Sequence, residues 1–96
     1  LGYPPFGRLA RLMFSHVSVR YAQEEAFRLA RLLKWERDRR GAPNLDILGP
    51  APAFIPRLRG RYRWQLLLRG DDPAALLRSL SPPQGWSIDV DPVSLL

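Results

Sequence analysis

The sequence predicts an α+β fold in which a four-stranded antiparallel sheet carries two helices on one face. Four segments show the alternation of apolar and polar residues that is typical of strands, and two show the spacing that is typical of helices. Their order along the chain is strand, helix, strand, strand, helix, strand. Because 96 residues suffice for one small core, residues 1–96 are predicted to form a single domain.

The first half of the chain contains a predicted strand and a predicted helix. Residues 8–15 alternate, with Ala10, Leu12 and Phe14 on one side of the strand. Residues 21–39 place apolar side chains at helical spacing, at Ala22, Ala26, Leu29, Ala30 and Leu33. Charged residues such as Glu36 are expected on the other faces, where Glu24–Arg28 and Glu36–Arg40 form i,i+4 pairs. The glycine and proline of residues 41–44 should end the helix.

The second half contains three predicted strands and a short helix. Residues 46–49 form a short strand, and the prolines at positions 50, 52 and 56 should prevent regular pairing, leaving 50–61 as a hairpin loop. Residues 62–69 alternate and should face the core with Tyr62, Trp64, Leu66 and Leu68. Asp72 and Pro73 begin a helix that buries Leu76, Leu77 and Leu80 and ends at Pro82 and Pro83. A last strand alternates through Trp86, Ile88 and Val90.

This order of elements is the split β-α-β arrangement of a ferredoxin-like fold. In that arrangement the strands form one antiparallel sheet and both helices pack on the same side of it.

Composition excludes several classes of function. There is no cysteine, so disulfides, thiolate metal sites and cysteine nucleophiles are excluded. No apolar run approaches the about 20 residues that a membrane span needs, so no membrane partner is expected and the cytoplasm is the expected compartment. The net charge is +6, and Lys34 is the only lysine among the 15 basic residues, so the charge is carried by arginines, which suit phosphate groups.

No residue pattern predicts catalysis. His16 is the only histidine and is interpreted as a solvated loop residue, because it lies just past a predicted strand and no cysteine or carboxylate cluster accompanies it. Asp89 and Asp91 are expected to pair with arginines such as Arg63 or Arg69, or to cap the last turn, and not to bind a metal. No glycine-rich phosphate loop is present. The domain is therefore predicted to be no enzyme on its own and to hold no cofactor or metal.

Nucleic-acid binding is the function that the basic segment favours. Residues 47–70, ILGPAPAFIPRLRGRYRWQLLLRG, hold five arginines and no acidic residue. In an extended chain, arginines at every second position from 57 to 63 project on one side and can follow a row of phosphates. Aromatic residues lie between them; Trp64 is in phase with the core residues, while Tyr62 could stack on bases. The predicted contacts are Arg57, Arg59, Arg61, Tyr62, Arg63 and Arg69.

Three motifs carry a resemblance to a known family. LGPAPA at 48–53, RYRWQ at 61–65 and WSIDVDP at 86–92 occur in that family's order and close to its spacing. The chain resembles, over nearly its whole length, the C-terminal domain of primosomal protein N-prime, the bacterial replication-restart helicase PriA. The departures are the short region between Gly70 and Trp86 and the arginine-rich linker.

The resemblance implies a fold, an activity and partners. The fold would be similar to ribosomal protein S10, and the domain would bind forked or single-stranded DNA independently of sequence. ATP hydrolysis with 3′ to 5′ unwinding, and a zinc segment, would lie in upstream domains of a longer protein, which agrees with a chain that starts at Leu1. The implied partners are its own helicase domains, the tail of single-stranded DNA-binding protein and primosome proteins.

Two other functions stay open at the level of sequence. One is a protein-docking scaffold, for which Phe54 and Ile55 on the proline-rich segment would be the contact residues. The other is an S10-like RNA-binding protein, which the topology allows.

Overall fold

The computed structural model describes residues 8–41, 44–80 and 84–90. The elements are β1 (Arg8–His16), α1 (Val19–Arg40), β2 (Asp46–Leu58), β3 (Arg61–Gly70), α2 (Pro73–Ser79) and β4 (Trp86–Val90). The four strands form one antiparallel sheet in the order β2-β3-β1-β4. The predicted α+β fold with βαββαβ order is confirmed.

The core lies between the helices and the two central strands. Leu12 of β1, Leu66 and Leu68 of β3, and Leu29 and Leu33 of α1 are fully buried. Leu76 of α2 belongs to the same cluster, so both helices cover the same face of the sheet. Each buried leucine contributes about 1.5–3 kcal/mol of transfer free energy. The other sheet face, called here the open face, turns away from both helices.

Helix α1 has defined signals at both ends. Ser18 precedes it, and its hydroxyl accepts a hydrogen bond from the Tyr21 N–H at 3.2 Å. Gly41 ends it in the left-handed conformation, with φ of 68°. All five predicted core residues of the helix are buried, so the helical pattern is confirmed. Among the described residues, no helix is long and apolar enough to cross a membrane.

The predicted ion pairs of α1 are wrong. Glu36 is only 4% exposed and Glu25 only 9%, although Glu36 was expected on an outer face. Glu25 pairs with Arg28 and Glu36 with Arg39, both at 2.7 Å and at i,i+3 spacing. Glu25 lies three residues after the buried Ala22, and Glu36 lies three residues after the buried Leu33. Residues three apart share a helix face, so both glutamates lie at the edge of the buried face of α1.

Strand β2 corrects the prediction of a long loop. It runs for 13 residues through all three prolines, and only Arg59 and Gly60 connect it to β3. Proline is tolerated because β2 is an edge strand with one described neighbour, so one side of its backbone needs no ladder partner. The pairing shifts between Leu48 and Ala51 and again between Pro52 and Arg57, which absorbs the irregular residues.

Helix α2 and strand β4 lie where the sequence predicted them, but some of their side-chain contacts differ from the prediction. Asp72 and Pro73 begin α2, which buries Leu76 and Leu77; the Asp72 side chain makes no capping hydrogen bond. In β4, Ile88 and Val90 are each 43% exposed, because β4 lies at the sheet edge beyond β1.

Asp89 pairs with Arg11 at 3.4 Å, and not with Arg63 or Arg69. The reason is that β1 separates β4 from β3. Asp91, Pro82 and Pro83 lie outside the described residues.

Candidate nucleic-acid interface

A tight turn gathers four of the five predicted arginines at one end of the sheet. Arg59 and Gly60 both have positive φ, 55° and 76°, which is the backbone of a two-residue hairpin whose twist matches its strands. Leu58 pairs with Arg61 and Arg57 with Tyr62 on either side of the turn. We call residues 57–63 the hairpin tip.

Two arginines of the tip lie on the open face and are held in place. The Arg61 guanidinium donates from Nε to the Ser15 hydroxyl at 3.2 Å and from Nη2 to the Ser15 carbonyl at 3.1 Å. Arg63 donates from Nη1 to the Ile55 carbonyl at 3.1 Å and from Nη2 to Met13 Sδ at 3.0 Å. All four acceptors are uncharged, so the side chains are oriented while their positive charge is not neutralised.

These two arginines and Arg59 line a shallow depression of about 330 Å³, which we call the open-face cleft. Its walls also include Met13, Ser15 and Leu58. Ser15 pairs directly with Arg63 across the β1–β3 ladder. The roles of Ser15 and Met13 were missed by sequence reasoning, because no local pattern near residue 15 indicates that β1 will pair with β3.

Arg57 does not share this side, so the prediction that all four arginines project together is wrong. Its guanidinium lies 5.3 Å from the centroid of the Tyr62 ring. Directly paired residues in a sheet share a face, and Tyr62 alternates with Arg61 and Arg63. The two-residue turn, which pairs Arg57 with Tyr62, therefore brings Arg57 to the helix side of the hairpin.

The tip differs from the rest of the molecule in its charge balance. Most other arginines pair with a carboxylate, as Arg11, Arg20, Arg28, Arg37, Arg39, Arg69 and Arg78 do. Within the described residues, no carboxylate oxygen lies within 4.0 Å of the charged nitrogens of Arg57, Arg59, Arg61 or Arg63. The four arginines of the hairpin tip thus form a cluster of unneutralised positive charge at one end of the sheet.

Arg69 is separated from this group. It lies eight residues after Arg61 on β3, about 26 Å along an extended strand. It also pairs with Asp46 at 2.9 Å. The structure therefore does not bring Arg69 together with the hairpin tip.

The aromatic residues of β3 point to the helix side. Tyr62 and Trp64 are both half-buried, so Trp64 is less enclosed than the core position that its phase predicted. The Trp64 ring packs against Phe27 of α1, with centroids 6.0 Å apart. Both rings keep part of their surface accessible to a ligand.

His16 has a structural role and is not a solvated loop residue as expected. It ends β1 and is half-buried. Its Nδ1 accepts a hydrogen bond from the Ser18 N–H at 3.0 Å, and its ring lies 4.5 Å from that of Tyr21. His16 therefore shapes the connection between β1 and α1.

The chain is similar to known proteins over nearly its whole length. The family described as "Primosomal protein N C-terminal domain" matches residues 1–93. The chain is 33% identical over 102 residues to the replication restart protein PriA of Synechocystis, covering 99% of this chain and 12% of that protein. It is 34% identical over 105 residues to PriA of Treponema pallidum, covering 100% and 15%.

A probable PriA of Deinococcus radiodurans is 36% identical over 100 residues, covering 98% of this chain and 10% of the relative. The chain thus spans only 10–15% of the length of these curated relatives. The matched residues include β1 to β4 and the whole hairpin tip, so the chain belongs to the family of primosomal protein N C-terminal domains.

Proposed function

We propose that this chain is a DNA-binding module of a replication restart protein and that it contacts backbone phosphates without reading sequence. The observation that carries the proposal is the group of four arginines at the hairpin tip that have no carboxylate partner among the described residues. The module helps its parent protein to recognise forked or single-stranded DNA.

The chemistry of the tip suits phosphates. Arg61 and Arg63 are oriented by neutral acceptors, so less side-chain entropy is lost when they bind. Each phosphate that an arginine neutralises releases condensed counterions, which favours binding and makes it salt-dependent. Contacts of this kind position a protein on DNA and carry no sequence information.

Membership of the family supports a proposal for the parent protein and its partners. The parent would be a cytoplasmic ATP-dependent 3′ to 5′ helicase whose ATP and zinc sites lie upstream. This domain would contact those helicase domains, the tail of single-stranded DNA-binding protein and other primosome proteins. An acidic tail is electrostatically compatible with the same arginines.

The first test compares DNA binding by the wild-type chain with an Arg59→Ala/Arg61→Ala/Arg63→Ala variant. Fluorescence anisotropy is measured on forked, single-stranded and duplex DNA at several salt concentrations. We expect wild type to bind with a clear salt dependence, and the slope of log K against log salt to fall by about two in the variant.

The matched control is Lys34→Ala/Arg40→Ala/Arg78→Ala, which removes the same charge from helix positions outside the hairpin tip. It should retain most of the slope. Equal losses in the two variants would mean that overall charge, and not the hairpin tip, drives binding.

Protein docking is the second candidate function. Phe54 is 69% exposed and Ile55 48% exposed on the outer strand β2, an arrangement suited to contact with another domain. If wild type binds no DNA at low salt, this function replaces the first. Titration with single-stranded RNA in parallel tests the RNA-binding alternative.

A further inference from the structure

We infer that the helix side of the hairpin carries a second site, which binds the unpaired bases of single-stranded DNA by stacking. We call it the aromatic strip, formed by Arg57, Tyr62, Trp64, Phe27 and Arg31. The inference rests on the proposed function and assigns different chemistry to the two sides of the hairpin.

The rings of the strip lie along two neighbouring elements. Tyr62 and Trp64 are two residues apart on β3 and point to the same side, about 7 Å apart along the strand. The Arg57 guanidinium covers one face of the Tyr62 ring, and Phe27 of α1 packs against Trp64 at an angle of 55°. Rings interleaved with arginines are the arrangement by which proteins hold successive bases of a single strand.

A groove on α1 continues the strip. It has a volume of about 350 Å³, and its walls include Phe27, Arg31, Arg20 and Glu24. Phe27 is 41% exposed although its ring packs on Trp64 of the sheet. The Glu24 carboxylate is neutralised by Arg20, at 3.2 Å. The positive charge of Arg31 therefore gives the groove a net positive charge.

The two sides of the hairpin differ in what they offer a ligand. Trp86 contributes to the open-face cleft, but its Nε1 donates to Glu25 at 3.0 Å and its ring packs on Phe14, 5.3 Å away, on the helix side. The polar groups of the cleft are therefore guanidinium groups and serine hydroxyls, which suit phosphates, beside the apolar walls of Met13 and Leu58. The aromatic strip presents rings, which suit bases, so the hairpin tip would lie between two strands of a branched substrate.

The test compares oligo(dT) with an abasic oligonucleotide of the same length, which has the same phosphates and no bases. By anisotropy, we expect wild type to bind oligo(dT) at least about fivefold more tightly, since each stacked base contributes measurably. A Phe27→Leu/Tyr62→Leu variant should lose this preference and keep its affinity for the abasic strand. The Arg59→Ala/Arg61→Ala/Arg63→Ala variant should weaken both and keep their ratio.

Trp35→Leu is the matched control, because Trp35 is 60% exposed on α1 and lies outside the strip. It should leave the preference unchanged. Equal affinity of wild type for the two strands, or an unchanged ratio in the double variant, would overturn the inference while the proposed function survives. Failure of wild type to bind any DNA would instead reject the proposed function.

Circular dichroism and thermal melting test whether the Phe27→Leu/Tyr62→Leu variant is folded. If it is not, Arg31→Ala at an exposed helix position provides the second measurement. We expect it to lower the affinity for oligo(dT) by about threefold and to leave duplex binding unchanged. An equal loss for duplex would contradict a single-strand site.

Discussion

Arg59 illustrates how one residue can serve binding at a cost in stability. Among the described residues it is the only non-glycine residue with positive φ, 55°. A left-handed backbone costs a residue with a Cβ roughly 1–2 kcal/mol, and asparagine tolerates it better. The hairpin places an arginine there, beside the open-face cleft.

Replacing Arg59→Asn should therefore stabilise the fold and weaken DNA binding. We expect the free energy of unfolding in urea to rise by about 0.5–1 kcal/mol. Arg61→Asn is the control, since Arg61 is not in the left-handed region; it should weaken binding without a gain in stability. A lower stability for Arg59→Asn would show that the side chain itself stabilises the turn.

Helix α1 is anchored at two points by buried carboxylates. The guanidinium of Arg28 and, to a smaller degree, the Trp86 N–H lower the pKa of Glu25 below its ordinary value, against a rise from burial. Arg39 and then the Ser79 hydroxyl lower the pKa of Glu36 in the same way. Trp86 belongs to β4 and Ser79 ends α2, so each carboxylate connects α1 to a later element.

The contacts of Glu25 and Glu36 predict that the folded state is less stable at low pH. A carboxyl group whose pKa is lower in the folded than in the unfolded state stabilises the fold at pH values above the unfolded pKa of 4.5. This contribution to the free energy of unfolding is lost as the pH falls through the folded-state pKa. We expect Tm to be nearly constant from pH 7 to pH 5 and to fall at lower pH. In Glu25→Gln/Glu36→Gln, Tm should be lower at pH 7 and should depend less on pH.

Glu24→Gln is the matched control, because Glu24 is exposed on the same helix and pairs with the exposed Arg20. It should follow the wild-type profile. If the double variant also kept the full acid dependence, other carboxylates would be responsible.

At the scale of the whole molecule, the two edge strands of the sheet differ in length and in proline content. The β2 edge carries three prolines, which supply no N–H donors to an added strand. The other edge is the short strand β4, of five residues. The prolines of this long edge strand therefore leave fewer donors for pairing with another copy of the chain.

Replacing Pro52→Thr and Pro56→Thr together should promote self-association. The variant should still fold, because threonine suits a strand, and should sediment faster than wild type at the same concentration. Ala51→Thr is the control, since it places threonine on the same strand and leaves every proline in place. Unchanged sedimentation of the double variant would mean that the register shifts of β2 protect this edge without the prolines.

Sequence alone was enough to identify the order of the elements, most of the core and the family, but not the full length of β2. Alternation in β1 and β3 and the helical spacing in α1 identified Leu12, Leu66 and Leu29 as buried, because these periods are properties of short stretches of chain. The arginine cluster was also visible, since its members are neighbours in sequence. The three motifs identified the family, because each is a continuous run of residues whose order and spacing can be compared directly.

Only the tertiary structure decided which side of the sheet each arginine faces. Whether a proline continues a strand depends on its being at an edge, which is set by strand order and not by local sequence. The pairing of β1 with β3 placed Ser15 against Arg61, and the pairing of Arg57 with Tyr62 moved one arginine to the opposite side. Strand pairing also brings distant charges together, so that Asp46 pairs with Arg69 and Asp89 pairs with Arg11. Within the described part of the chain, no carboxylate is brought to the arginines of the hairpin tip in this way.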